Sequence, residues 1–183
     1  MFTRICMVSV TLCLMHLCSL RNATAQEFSQ DDFKTMQGRW IGTFNGSMIG
    51  DGIATEKGVP YRIGCTTKWV IPGRMTSWTW TLTKKGEDKP TTTYAGIVYW
   101  KESTKEVLGT CVTDDGTTYD EKLTKFGVMV EREKKGTGPK GDFTETEVVN
   151  WSNPDRPTSV LTVHFKTGEK VVTKSSLQRQ KSN

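Results

Sequence analysis

"YRIGCTTKWVI", residues 61–71, decides how the rest of the chain is read. Tyr61, Ile63, Cys65, Trp69 and Ile71 alternate with Arg62, Gly64, Thr66 and Lys68. Successive side chains leave a strand on opposite sides, so a period of two predicts a strand with one buried face. Working outward, the pattern recurs. Trp78, Trp80 and Leu82 alternate with Ser77, Thr79 and Thr81, and Tyr94, Gly96, Val98 and Trp100 share one face of the next run. Val107 to Thr113 ends at Asp114-Asp115-Gly116, a strong turn signal. Further strands are predicted at 117–123, 128–134, 143–151, 159–165 and 170–177, with loops at Gly136-Thr137-Gly138-Pro139 and Thr167-Gly168.

About ten short strands at hairpin spacing leave no room for parallel crossovers. The predicted class is therefore all-β: an antiparallel up-and-down meander that curls and closes to remove its edges. Gly42, Gly64, Gly96 and Gly109 fall inside strand patterns, where bends and bulges need them. One segment upstream reads as a short helix of roughly two turns. Ser29 is placed to cap it, with Asp32 at the third helical position. Phe28 and Phe33 sit at the staple positions, and Gly38 at the stop.

The N-terminus has the form of an export signal. Arg4 precedes an apolar run from Ile5 to Leu20, and Ala23-Thr24-Ala25 fits a small-x-small cleavage site. Cleavage near Ala25 would leave a single secreted or periplasmic domain over residues 26–183, with no later segment apolar enough to span a membrane as a helix. Its 23 basic and 20 acidic residues give a net charge of +3, too small and too scattered to imply a nucleic-acid partner. Cys6, Cys13 and Cys18 would leave with the signal. Cys65 and Cys111 would remain, either as a disulfide in an oxidising compartment or as two separate buried thiols.

The segment MQGRWIGTFNG, residues 36–46, carries a resemblance. A helix followed by Gly38-Arg39-Trp40-Ile41-Gly42 resembles the Gly-x-Trp entry of lipocalin-type (calycin) barrels. That resemblance implies that the Trp40 indole packs across the barrel floor. From about Gly38 to Arg179 the chain also resembles a bacterial lipocalin-like secreted domain of unknown function, of the kind also appended to ketosteroid-isomerase-like domains. The matching stretches are Trp40-Ile41-Gly42, Trp78-Thr79-Trp80, Ile97-Val98-Tyr99-Trp100 and the hairpin Thr113-Asp114-Asp115-Gly116. It departs from that pattern at Lys101-Glu102, where the domain has Asp-Pro. The shared motifs are structural and imply a barrel, not a ligand.

Chemistry-bearing residues are few. His164, the only histidine after the signal, would be the heme ligand if the resemblance extended to heme-binding barrels. It falls on the face opposite Leu161, Val163 and Phe165, so an exposed histidine is expected and no cofactor is assigned. No spacing suits zinc or calcium, and Asp114-Asp115-Gly116 reads as a hairpin turn. No G-x-S-x-G nucleophile or other catalytic motif is present, so no catalytic residue is assigned. Glu131, Glu133, Glu145 and Glu147 could bring Glu131 and Glu145 opposite one another across a hairpin. Outward-facing charge relieved by Arg132, Lys134 and Lys135 is the expected arrangement. Asn45-Gly46-Ser47 and Asn150-Trp151-Ser152 match the glycosylation pattern, which in a bacterial chain means no more than local polarity.

The aromatic set carries the functional expectation. Trp69, Trp78, Trp80, Tyr94 and Trp100 lie at even spacing on three consecutive strands and could build one wall, with Trp40 as the floor. Such a wall either lines a pocket for a hydrophobic or aromatic small molecule or fills a core. A single-strand nucleic-acid binder would need basic residues among these rings, whereas Lys84-Lys85 and Lys134-Lys135 are read as turns away from them. The expected function is a non-catalytic small-molecule-binding module. The alternatives are a structural or interaction protein with a side-chain-plugged barrel, or a lipid isomerase- or cyclase-like enzyme.

Overall fold

The computed structural model of the chain describes residues 28–50, 53–125 and 127–181. The expected export signal, its cleavage site near Ala25 and three of the five cysteines lie outside the described residues.

A helix, α1 (Gln30–Trp40), precedes ten strands: β1 (Gly42–Ile49), β2 (Pro60–Ile71), β3 (Met75–Lys84), β4 (Thr92–Lys101), β5 (Glu106–Thr113), β6 (Thr118–Lys125), β7 (Met129–Gly138), β8 (Gly141–Asn150), β9 (Thr158–Phe165) and β10 (Lys170–Arg179). Each strand pairs antiparallel with the next, and β1 pairs with β10 from Phe44↔Arg179 to Met48↔Ser175. The meander is thus a closed barrel. Closure satisfies the backbone groups that an open sheet would leave at its two edges.

The predicted cap is present. Ser29 Oγ accepts from the Asp32 amide at 3.1 Å, and the Asp32 carboxylate accepts from the Ser29 amide at 3.0 Å. Gly38 does not stop the helix, which continues to Trp40. The last turn is worth forming because Phe33, Met36, Gln37 and Trp40 share the buried face, at three- and four-residue spacing. Gly42, at φ +121°, then turns the chain into β1.

This helix covers one end of the barrel. The Trp40 ring meets Trp151 edge-on at 4.6 Å, Phe33 packs on Trp69, and Phe28 packs on Trp100. Arg179 at the end of β10 holds the helix end. Its guanidinium donates to the carbonyls of Ile41 at 2.8 Å and Arg39 at 2.6 Å, and it lies over the Phe44 ring. A cation at a helix C-terminus also meets the negative end of the helix dipole.

Two details depart from the sequence reading. The alternation of β2 breaks at an irregularity between Trp69 and Ile71, which leaves Ile71 exposed. Gly136 to Gly138 form strand rather than loop, and β7 runs to a tight turn in which Gly138 pairs with Gly141.

Candidate functional site

Alternation fixes which residues enter the barrel. On β3, Thr76, Trp78, Trp80 and Leu82 face inward. On β4, Thr92, Tyr94, Gly96, Val98 and Trp100 do so. Two apolar clusters fill the interior. One lies under the helix around Trp40, Phe44 and Trp151, and the other surrounds Phe143, Val163 and Phe165. Trp78 and Tyr94 pack against both. A cavity of about 70 Å³ lies where the clusters meet. One wall of it is aromatic: Trp40, Trp78, Trp80 and Tyr94. Trp69 and Trp100, expected in the same wall, sit instead under α1, where Trp100 donates its indole N–H to Glu102 at 2.7 Å. Trp40 packs against Phe44, Trp80 and Trp151 and lines the cavity.

The opposite wall was not expected. Arg132 and Lys134 on β7 and Glu145 and Glu147 on β8 line it, and Glu121 on β6, which is not part of the cavity lining, is buried beside Arg132. The register sets Arg132 against Glu147 and Lys134 against Glu145. Glu131 pairs with Val148, so the expected Glu131–Glu145 apposition does not form. Only Glu131 and Glu133 keep the outward-facing role foreseen for all four glutamates. Nor is Lys134 in a turn: it is mid-strand, inside, and 5.3 Å from the Tyr119 ring.

These five charges form a ladder. Glu121 approaches Arg132 Nη1 at 3.6 Å, and Arg132 approaches Glu147 at 3.8 Å. Lys134 Nζ donates to Glu147 at 3.1 Å and to Glu145 at 2.5 Å. Burial disfavours the Lys134 ammonium, but Glu145, Glu147 and Glu121 outweigh it and hold its pKa above the ordinary lysine value. Burial likewise opposes ionisation of Glu147, and Lys134 and Arg132 more than compensate, keeping its carboxyl below the usual range. Arg132 stays charged by the same logic, and its guanidinium lies 5.3 Å above the Trp40 ring. Burial pushes the Tyr119 phenol well above its usual value.

Glu121 stands apart within the ladder. Its side chain is 0% exposed, and neither carboxylate oxygen has a hydrogen-bond partner. It occupies space left by Gly109, the residue opposite it on β5, where a Cβ would come within 2.6 Å of Glu121 Oε1.

The remaining candidates lie elsewhere. Of the two readings for Cys65 and Cys111, the structure has the separate buried thiols and no disulfide. Strands β3 and β4 stand between them, so three inter-strand steps of ~4.8 Å separate the two sulfurs along the wall, beyond the reach of a bridge. Burial raises the Cys65 thiol to about 12 and the Cys111 thiol to about 11. His164 is exposed on the outer face of β9, while Val163 and Phe165 are buried. Asp115 is a turn residue that accepts from the Thr117 amide at 2.9 Å. Among the described residues, no three His, Cys, Asp or Glu side chains converge as metal ligands, and no helix is long and apolar enough to cross a membrane.

One signal could have revealed the ionic wall. Glu145 and Glu147 share strand parity with Phe143, Val149 and Trp151, which are all buried. Tyr119 and Glu121 likewise share parity with Leu123. On β7 charges occupy both faces, so its alternation gives no such indication.

The barrel is similar to the crystal structure of Rv2717c from M. tuberculosis, with a TM-score of 0.62 and 15% identity over 80% of this chain and 96% of that one. It is also similar to the S-type phycobiliprotein lyase CPES from Guillardia theta, with a TM-score of 0.53 and 10% identity over 82% and 94% of the two chains. The fold is lipocalin-like. No family model matches the chain, and no curated protein matches it. In this lipocalin-like barrel the lumen is divided between rings and charges, with the cavity between them.

Proposed function

We propose that this barrel is an exported, non-catalytic module that holds a small molecule with a flat apolar ring between its aromatic and ionic walls. One observation carries the reading: Trp78, Trp80 and Tyr94 face inward and line the cavity, yet stay only half-buried. Rings committed to a filled core would be covered on all sides. The non-catalytic part of this reading draws its support from the lining. Among the described residues it holds no histidine or cysteine, and Lys134 is kept as an ammonium between two carboxylates.

Titration with indole while tryptophan emission is recorded tests the proposal. A saturable change is expected in the unaltered chain, with affinity lowered at least about tenfold in Trp78→Ala and Trp80→Ala. An unchanged spectrum would favour a second reading, a barrel plugged by its own side chains. The specific support for that reading is the cavity itself. At about 70 Å³ it lies below the ~300 Å³ at which ligand pockets usually begin.

A further inference from the structure

We infer that the helix-capped end of the barrel docks on an anionic phospholipid bilayer. The inference is independent of the cavity and of what the cavity holds. Two hairpin tips at this end expose apolar side chains to solvent. Val70 and Ile71, at the close of β2, are 47% and 49% exposed, and Val128 and Met129, where β7 begins, are 53% and 39% exposed. Helix α1 ties the two tips together. Its first residue, Gln30, donates from Nε2 to the Gly73 carbonyl at 3.2 Å, and Arg39, next to its last residue, donates to the Gly127 carbonyl at 2.6 Å. The tips therefore flank the helix at its two ends, about 14 Å apart along its axis at the ordinary helical rise. Between them α1 exposes Asp31, Lys34, Thr35 and Gly38, so the apolar surface is interrupted by a polar one. Among the described residues, no turn at the opposite end of the barrel exposes a large apolar side chain.

Charge around this end is the second observation. Its carboxylates Glu102, Glu106 and Asp155 are paired with Lys105, Lys122 and Arg179. Lys34, Arg74, Lys101 and Arg156 are exposed on the same rim, where Asp31 and Asp32 belong to the first turn of α1. Arg74 closely follows the Val70–Ile71 tip, and Lys101 leads into the β4–β5 turn, which stands between the two tips around the rim. At the opposite end Glu56, Glu87, Asp88, Asp114 and Asp115 are set against the lysines of the turns. Together these features specify the occupant. A bilayer presents phosphates above hydrocarbon, so separate apolar tips can enter it while the cations beside them stay at the headgroups. Anionic lipids add attraction for each basic side chain held at the surface. A protein partner would need a continuous dry centre of contact, and the polar face of α1 divides this one.

Co-sedimentation of the full chain with vesicles tests this, using phosphatidylcholine alone and phosphatidylcholine with about one-third phosphatidylglycerol. Binding to the mixed vesicles is expected to be at least about tenfold stronger at low salt and to weaken as salt is raised. Ile71→Asp and Val128→Asp should each lower it at least about fivefold with the melting temperature unchanged. Val112→Asp makes the same change at an exposed position near the far end of β5, and should leave binding within about twofold of the unaltered chain. Equal binding to both kinds of vesicle, the result that the apolar run Ile5–Leu20 alone would give, overturns the inference. So does an effect of Val112→Asp as large as those of the tip variants. Retention on immobilised polyglutamate with none on the mixed vesicles would overturn it as well, and would assign this face to an acidic protein. If the tip variants do not fold, the vesicle preference and its salt dependence in the unaltered chain decide.

Discussion

Lys134 is the residue on which the ionic wall depends, because its ammonium donates to both Glu145 and Glu147. Replacing it with methionine keeps much of the volume but leaves Glu145 and Glu147 buried without that partner. A loss of about 3–5 kcal/mol is expected in urea unfolding, and the double variant Lys134→Met/Glu145→Leu should recover part of it. Acid should act on the same ladder. The folded Glu147 carboxyl titrates below its ordinary value of 4.5. Its contribution to stability is therefore complete above that value and is lost as pH falls through the lowered one. The urea midpoint is expected to drop between pH 5 and pH 3. Glu147→Gln should be less stable at pH 7 and flatter across the acid range. None of this was legible residue by residue, because a charged side chain at strand spacing reads the same whether it faces water or a partner across the lumen. The parity of Glu145 and Glu147 with Phe143 and Val149 placed them inside. The prior that charge faces outward, sound for most antiparallel sheets, overrode that sign.

At the scale of the elements, the strands were legible because their inner faces are apolar over most of their length. Tyr61, Ile63 and Cys65 on β2 are all buried as the alternation requires. Where the reading missed, the cause was tertiary. Gly38 could end a helix in isolation, but burying Trp40 against Trp151 and Phe44 carries the helix past it. The β3–β4 pair shows how one element shapes another. Trp78 lies over Gly96, where a Cβ would stand 2.5 Å from its ring and 2.5 Å from the Thr110 carbonyl oxygen. Gly96→Ala is expected to destabilise the barrel by about 1–3 kcal/mol and to shift the tryptophan emission as the indole is displaced. A native spectrum and midpoint would show that the ring does not depend on that space.

For the molecule as a whole, closure is the dominant fact. β1 and β10 are neighbours in the wall, and the guanidinium of β10 holds the end of α1. Deleting residues 170–183 would unpair one edge of β1 and one of β9, and would also remove Leu177 from the core. The shortened chain is expected to aggregate, seen as light scattering at concentrations where the full chain is clear. A clear, monomeric product would mean that the nine remaining strands close by themselves. The barrel was foreseen from hairpin spacing and from the count of strands, both properties of the whole chain. The division of its interior was not, since it depends on which side chains converge after closure.

The seam between β1 and β10 also bears on how the protein is made. The partner that completes β1 is the last of the ten strands to be made, so no ordering of earlier hairpins can seal the wall. Until β10 has emerged the nascent chain stays an open ribbon, its helix unlatched. The ring-closing step waits on that strand.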